Sequence, residues 1–234
     1  ISAAGMDGWG PAEWKHLADS AYHHLATMLN LIENGAPWPE DVEHGKAAFL
    51  AKDPSKGIYD PLQYRVLLIL PILYRKWAAV RLEHLRPWVQ TWSLEAMHAG
   101  VPGRAADDAW WITALHMEHC KVFGNTFTGA AADLMKCFDQ ISRHLVDALL
   151  RMAGMPEGIL TAYWNYHDNL KVYNGMAHGL GKPYFKRCSI PQGCPLSMVI
   201  IAFLLRPWII MMQEFPGIIP RILADDLMIT QVGD

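Results

Sequence analysis

Two adjacent aspartates between apolar runs constrain this chain more than any other feature. In Arg221-Ile222-Leu223-Ala224-Asp225-Asp226-Leu227-Met228-Ile229 the flanking residues favour strands, and Ala224-Asp225-Asp226 reads as the tight turn joining them. Like charges side by side in apolar surroundings repel unless cations neutralise them. A hairpin tip permits the arrangement, and it suits Mg²⁺, which takes carboxylate oxygen. An ordinary Asp-containing turn has the same appearance, so the dipeptide alone decides nothing.

A third carboxylate narrows the reading. Asp133 stands at the end of Phe123–Leu134, a small, β-compatible segment. Its Ala130-Ala131-Ala132 run lets a strand lie close to a neighbour. If the hairpin is that neighbour, three carboxylates converge, enough to hold two Mg²⁺ ions for phosphoryl transfer.

The rest of the chain supplies the scaffold. Helical spacing predicts helices over Pro11–Asn34, Pro71–Trp92, from about Ala105 to Cys120, and over Glu157–Asn169. An amphipathic helix ending at Gly154 is expected to turn Ile141, Leu145, Ala148, Leu149 and Met152 to one face, with Asp139 as its N-cap. Val42–Leu50 leads into the turn-rich Asp53-Pro54-Ser55-Lys56-Gly57. Leu170–Tyr173 and Lys182–Ile190 read as strands joined by Asn174–Gly181. Pro195-Leu196-Ser197 opens an apolar helix to about Met212, and Ile218–Leu223 and Leu227–Val232 form the final hairpin. Helices first, then a β-helix-β-helix-β order, predict an α+β fold with a ferredoxin-like core.

Composition sets the bounds. The 234 residues are 52% hydrophobic and 18% charged, which excludes a disordered or coiled-coil chain. The longest apolar runs, Val66–Ile69 and Met198–Leu205, fall short of the roughly 18 residues a membrane span needs, so no membrane partner is expected. Cys120, Cys137, Cys188 and Cys194 form no CxxC pair and read as reduced, intracellular thiols. The net charge of -3 hides an uneven distribution. Residues 1–60 carry nine acids against four lysines, whereas Arg65, Arg75, Lys76, Arg81 and Arg86 face only Glu83 within residues 65–90, and Lys171, Lys182, Lys186 and Arg187 face no acid within residues 169–188. Two basic stretches can meet phosphates, or form two solvated faces.

At this point the chain resembles a known family. Asp133-Leu134-Met135-Lys136-Cys137-Phe138-Asp139 resembles polymerase motif A of reverse transcriptases. Ser189-Ile190-Pro191-Gln192-Gly193-Cys194-Pro195-Leu196-Ser197 resembles their motif B, and Ala224-Asp225-Asp226 the centre of motif C. Upstream, Gly5-Met6-Asp7-Gly8-Trp9 resembles the "PGxDG" opening of the non-LTR retrotransposon and group II intron type. Phe49-Leu50-Ala51-Lys52 and Tyr64-Arg65-Val66-Leu67 resemble its fingers segments, and Ala99-Gly100-Val101-Pro102-Gly103-Arg104 its "GFRPGRS" element.

The resemblance implies a right-hand polymerase: a mostly helical fingers region over residues 1–122 and a palm, an antiparallel ferredoxin-like sheet on helices, over residues 123–234. It implies RNA-directed DNA polymerase activity within a retroelement, with an RNA template, a DNA primer and dNTPs as partners, two Mg²⁺ ions (or Mn²⁺) as cofactors, and an intracellular place on the element's RNA. Asp133, Asp225 and Asp226 are then the catalytic metal ligands. Phe138 lies under the nucleotide sugar and excludes a 2′-hydroxyl. Gln192 and Gly193 lie against the nascent base pair, and Lys52 and Arg65 neutralise the triphosphate. An RNA-templated RNA polymerase and a non-catalytic palm-fold RNA-binding scaffold are the alternatives. Phe138 argues against the first and the three carboxylates against the second.

Three positions depart from the family pattern: Val66 replaces a proline, Leu223 an aromatic residue and Met198 a proline. The chain also stops soon after Asp226, so the remaining palm strands, primer grip and thumb are expected to be missing and the fragment alone poorly processive or inactive. His116 and His119 have metal-like spacing but no distant partners, and zinc is not expected there. The ten tryptophans are expected mainly in cores.

Overall fold

The computed structural model describes residues 3–53, 55, 60–176 and 179–233. Helices α1 (Pro11–Trp14) and α2 (Asp19–Glu33) lead into strands β1 (His44–Ala51) and β2 (Tyr64–Ile69). Helices α3 (Ile72–His84), α4 (Arg86–Trp92) and α5 (Ala106–Phe123) precede strand β3 (Thr126–Asp133). Helices α6 (Cys137–Gln140), α7 (Arg143–Met152) and α8 (Glu157–Asn169) follow, then strands β4 (Lys171–Met176), β5 (Gly179–Leu180) and β6 (Tyr184–Phe185). Helix α9 (Ser197–Gln213) leads to β7 (Ile218–Leu223) and β8 (Asp226–Gly233). The α+β class is as the sequence predicts. Among the described residues no helix is long and apolar enough to cross a membrane.

The chain divides into two compact units, each built from two stretches of sequence. One unit takes Ile1–Glu83 with Ile141–Pro195, the other His84–Gln140 with Leu196–Asp234. Long-range pairing is the reason. β4 lies parallel to β1, His44 opposite Lys171 and Ala47 opposite Asn174, which draws the middle of the chain back to its first third. β1 also pairs antiparallel with β2, from Lys46–Ile69 to Ala51–Tyr64, so the first unit carries a sheet as well as helices.

The first unit's core is aromatic. Trp38, Tyr74, Trp77 and Tyr166 are all buried, and the Tyr74 and Tyr166 rings stack at 3.7 Å and 12°. The indole of Trp38 donates to the Ala162 carbonyl at 2.8 Å, so this large ring is buried without an orphaned donor. α7 departs from its expected face. It buries Arg143, Val146 and Leu150, and leaves Leu145 and Met152 exposed. Arg143 turns inward because its guanidinium donates to the His167 carbonyl at 2.8 Å and to Asp168 at 3.0 Å. The expected helix Pro11–Asn34 is two helices, and Pro71–Trp92 divides at Leu85, where Pro87 sits at the start of α4. Of Asp53–Gly57, residues Pro54, Lys56 and Gly57 lie outside the described residues, as do Ala177 and His178 of Asn174–Gly181.

The second unit is built on the sheet β3-β8-β7, antiparallel throughout. α9 packs along β7, and α5 lies against β3 and β7. The segment before α5 is stitched to β7: Ile222 N–H donates to Ala96 O and His98 N–H to Ile222 O, at 2.8 and 2.9 Å. Asp139 lies inside α6, and Ser142 occupies the N-cap of α7, so the expected capping role falls away.

Candidate active site

The hairpin is indeed the neighbour of the Asp133 strand. β3 and β8 pair over eight positions, from Thr126–Gly233 to Asp133–Asp226. Asp133 and Asp226 are therefore direct cross-strand partners, and β7 ends with Leu223 on the far side of Asp226. Cα atoms so paired lie roughly 4.5–5.5 Å apart. Ala224 and Asp225 form the turn, with Ala224 at φ +57, a conformation strained for any residue with a Cβ. The Asp225 carbonyl accepts from Leu134 N–H at 3.4 Å, which ties the turn to the end of β3. Asp133 and Asp226 are exposed and Asp225 half-buried. Like charges directly opposite on a sheet are destabilising, so the facing of these two side chains adds nothing to stability.

The surroundings register that negative charge. Burial pushes the Cys137 thiol up to about 11, and the Asp225 and Asp133 carboxylates push it the same way. Asp133 and Asp226 line a cleft of about 370 Å³ together with Arg221. Arg221, which sequence reasoning missed, is a buried guanidinium on β7 that donates to Thr230 Oγ1 at 3.1 Å and meets His116 Nδ1 at 3.2 Å. Burial lowers its proton affinity, and burial with Arg221 beside it holds His116 below the ordinary histidine value. The His116 ring is thus a neutral acceptor. Phe138, just beyond β3 on α6, is 7% exposed and is mainly a core residue of this unit.

The first unit brings together the other sequence-predicted residues. Lys52 follows β1, and its N–H donates to Gln63 O at 2.8 Å; Arg65 on β2 pairs with Leu50. Both side chains are exposed. The turn Pro191–Cys194 lies against the same β2, for Leu68 N–H donates to Gln192 O at 2.8 Å. Gly193 has φ +121, and a Cβ there would stand 2.3 Å from Leu68 O. Glycine is required at 193 by the β2 backbone itself.

The acidic hairpin suits a hard divalent cation chemically, since all its donors are carboxylate oxygens. Among the described residues, no three His, Cys, Asp or Glu side chains are gathered into a cage for a metal. Mg²⁺ does not need one, because it commonly takes one or two carboxylates and completes its shell with water and substrate phosphate.

The chain compares with known proteins as follows. No curated protein sequence matches it significantly. Its fold is similar to apo telomerase from Candida tropicalis, at TM-score 0.51 and 11% identity over 92% of this chain and 44% of that one. The form of that telomerase truncated from its C-terminal domain gives 0.53 and 11%, over 91% and 49%. Telomerase from Candida albicans in complex with a fragment of telomeric RNA gives 0.52 and 13%, over 91% and 40%. This chain spans less than half the length of each. The family model for reverse transcriptase (RNA-dependent DNA polymerase) matches residues 52–233, and the chain belongs to that family.

Proposed function

We propose that the protein is an RNA-directed DNA polymerase of a non-LTR-type retroelement, adding dNTPs to a DNA primer on an RNA template inside the cell. One observation carries the reading: the β3–β8 register sets Asp133 opposite Asp226, with Asp225 at the adjoining turn. A fold that places like charges face to face at its own expense does so for a ligand that needs them. The non-catalytic scaffold has no use for that arrangement.

In this reading Asp133 and Asp225 are the principal ligands of two Mg²⁺ ions, with Mn²⁺ as a substitute, and Asp226 completes the set. Held by these carboxylates, the ions would supply Lewis-acid chemistry: a more acidic primer 3′-hydroxyl and neutralisation of phosphate charge. Phe138 stands five residues after Asp133 and offers the sugar an aromatic edge in place of a hydrogen-bond partner. Lys52 and Arg65, both exposed on one hairpin, neutralise triphosphate charge, Arg65 through its planar fork. Gln192 and Gly193 meet the nascent base pair from a turn fixed on β2.

Primer extension by the full-length protein carrying this chain tests the proposal. Extension with dNTPs on RNA in Mg²⁺, abolished by Asp225→Asn, is the expected result. Equal use of NTPs would instead identify an RNA-templated RNA polymerase. RNA binding without any extension would identify a scaffold.

A further inference from the structure

The turn that carries Gln192 and Gly193 is tied to α3 through one buried hydroxyl. Tyr74 on α3 is wholly buried, and its OH lies 3.1 Å from Cys194 Sγ and 2.8 Å from His167 Nε2 on α8. The stack of its ring on Tyr166 fixes where that hydroxyl sits. His167 is buried too, and burial with the nearby Arg143 holds it well below the ordinary histidine value. The imidazole is therefore neutral, with one donor and one acceptor nitrogen. Its Nδ1 has no partner, so Tyr74 is the group that its polar edge meets.

Other ties of the turn run to β2 and within the turn itself. Gln192 O accepts from Leu68 N–H, Gly193 presses on Leu68 O, and Cys194 N–H donates to Pro191 O at 3.2 Å. The Cys194 thiol adds a directional anchor to α3. Breaking it would take a directional bond from a buried hydroxyl that water does not replace, so the turn is held in one position more firmly than packing alone would hold it.

We infer that Tyr74, acting through Cys194 and braced by His167, is a positioning residue for the Gln192–Gly193 turn and hence for the incoming nucleotide. The nucleotide half of this inference rests on the polymerase reading above.

Two measurements test it. In the full-length protein, Tyr74→Phe is expected to raise KM for dNTP about three- to tenfold, the range set by one buried hydrogen bond, with kcat changed by less than about twofold. Cys194→Ala should match it, the double variant should be no worse than either single one, and Cys194→Ser should recover most of the loss. Tyr166→Phe removes a hydroxyl from the same core that has no partner, and should leave KM alone. Amide exchange at Gly193 and Cys194, read without substrate, should quicken about tenfold in Tyr74→Phe and not in Tyr166→Phe. Should Tyr74→Phe unfold, Cys194→Ala carries the same test. Unchanged exchange overturns the anchor, and faster exchange with unchanged KM overturns its positioning role. Faster exchange in a protein that polymerises nothing overturns the polymerase reading and leaves the anchor in place.

Discussion

The two units hold their polar groups in opposite ways. In the second, Asp133 and Asp226 are set opposite each other by backbone register and are exposed, with Asp225 half-buried at the adjoining turn. In the first, Tyr74, His167 and Cys194 are buried and meet one another side chain to side chain. On the proposed reading, the difference follows from what each set is for. Groups that receive a cation must be accessible to it. Groups meant to hold a turn still must be dry, because a hydrogen bond is directional and costly to break only where water cannot replace it.

The contrast can be broken at either end. The largest effect is expected at the open carboxylates. Asp133→Asn or Asp225→Asn should reduce polymerisation by about 10²–10³-fold or more, while stability stays level or rises by up to about 1 kcal/mol as like-charge repulsion is relieved. A clear fall in the thermal midpoint would mean that the aspartates are structural. The same Asp225→Asn protein should show a Cys137 thiol titrating below about 11, since one of the charges opposing its thiolate is gone, and the pH dependence of alkylation reads this directly.

Phe138 comes next. Phe138→Val should raise ribonucleotide incorporation about five- to a hundredfold, the discrimination expected from a 2′-hydroxyl stranded against a ring. Because the ring is largely buried, the valine variant should also melt earlier, and competition between dNTP and NTP must be scored on folded protein. Arg65→Ala should raise KM for dNTP about tenfold, while its exposed side chain leaves stability within about 0.5 kcal/mol. Unaltered KM would remove Arg65 from the triphosphate.

The smallest effect belongs to the buried network. His167 is depressed below 6.5, so as pH falls the unfolded chain takes up the proton first. Stability is complete above about pH 6.5 and declines below it, by up to about 1.4 kcal/mol per pH unit for this one group. His98 and His116 in the second unit are depressed as well, so the test is a difference. His167→Gln should flatten the acid side of the stability curve relative to wild type, and an identical slope would show that His167 does not stay neutral.

What could be read in the sequence was what local patterning encodes. The β7–β8 hairpin, α8 and the strand ending at Asp133 came from periods of two or 3.6 with clear turn residues, whereas the pairing of that strand with the hairpin stood there only as a condition. β1 escaped because Gly45, Lys46, Ala47 and Ala48 favour no strand, and its parallel partner lies beyond a hundred residues of other structure. The expected strand Lys182–Ile190 shrinks to Tyr184–Phe185, where Pro183 offers no N–H to a ladder. On α7 the apolar periodicity was real, but the ties of Arg143 to α8 turned a different stripe inward. Tyr74, His167 and Cys194 had no signal to find, since no spacing relates residues 93 and 120 positions apart.

The parallel pairing of β1 with β4 also sets a timetable for synthesis. His44 leaves the ribosome 127 residues before Lys171, the partner it will face. At about 5–20 residues per second that interval is roughly 6–25 s. Once β2 has followed, the β1–β2 hairpin can form, yet one edge of β1 still has nothing to bind, and an open strand edge is a template for any other chain nearby. A pause in translation between β2 and β4 would prolong that exposure, whereas a pause after β4 would not. Yield of folded protein from a nascent chain should therefore depend on where along the message the ribosome slows.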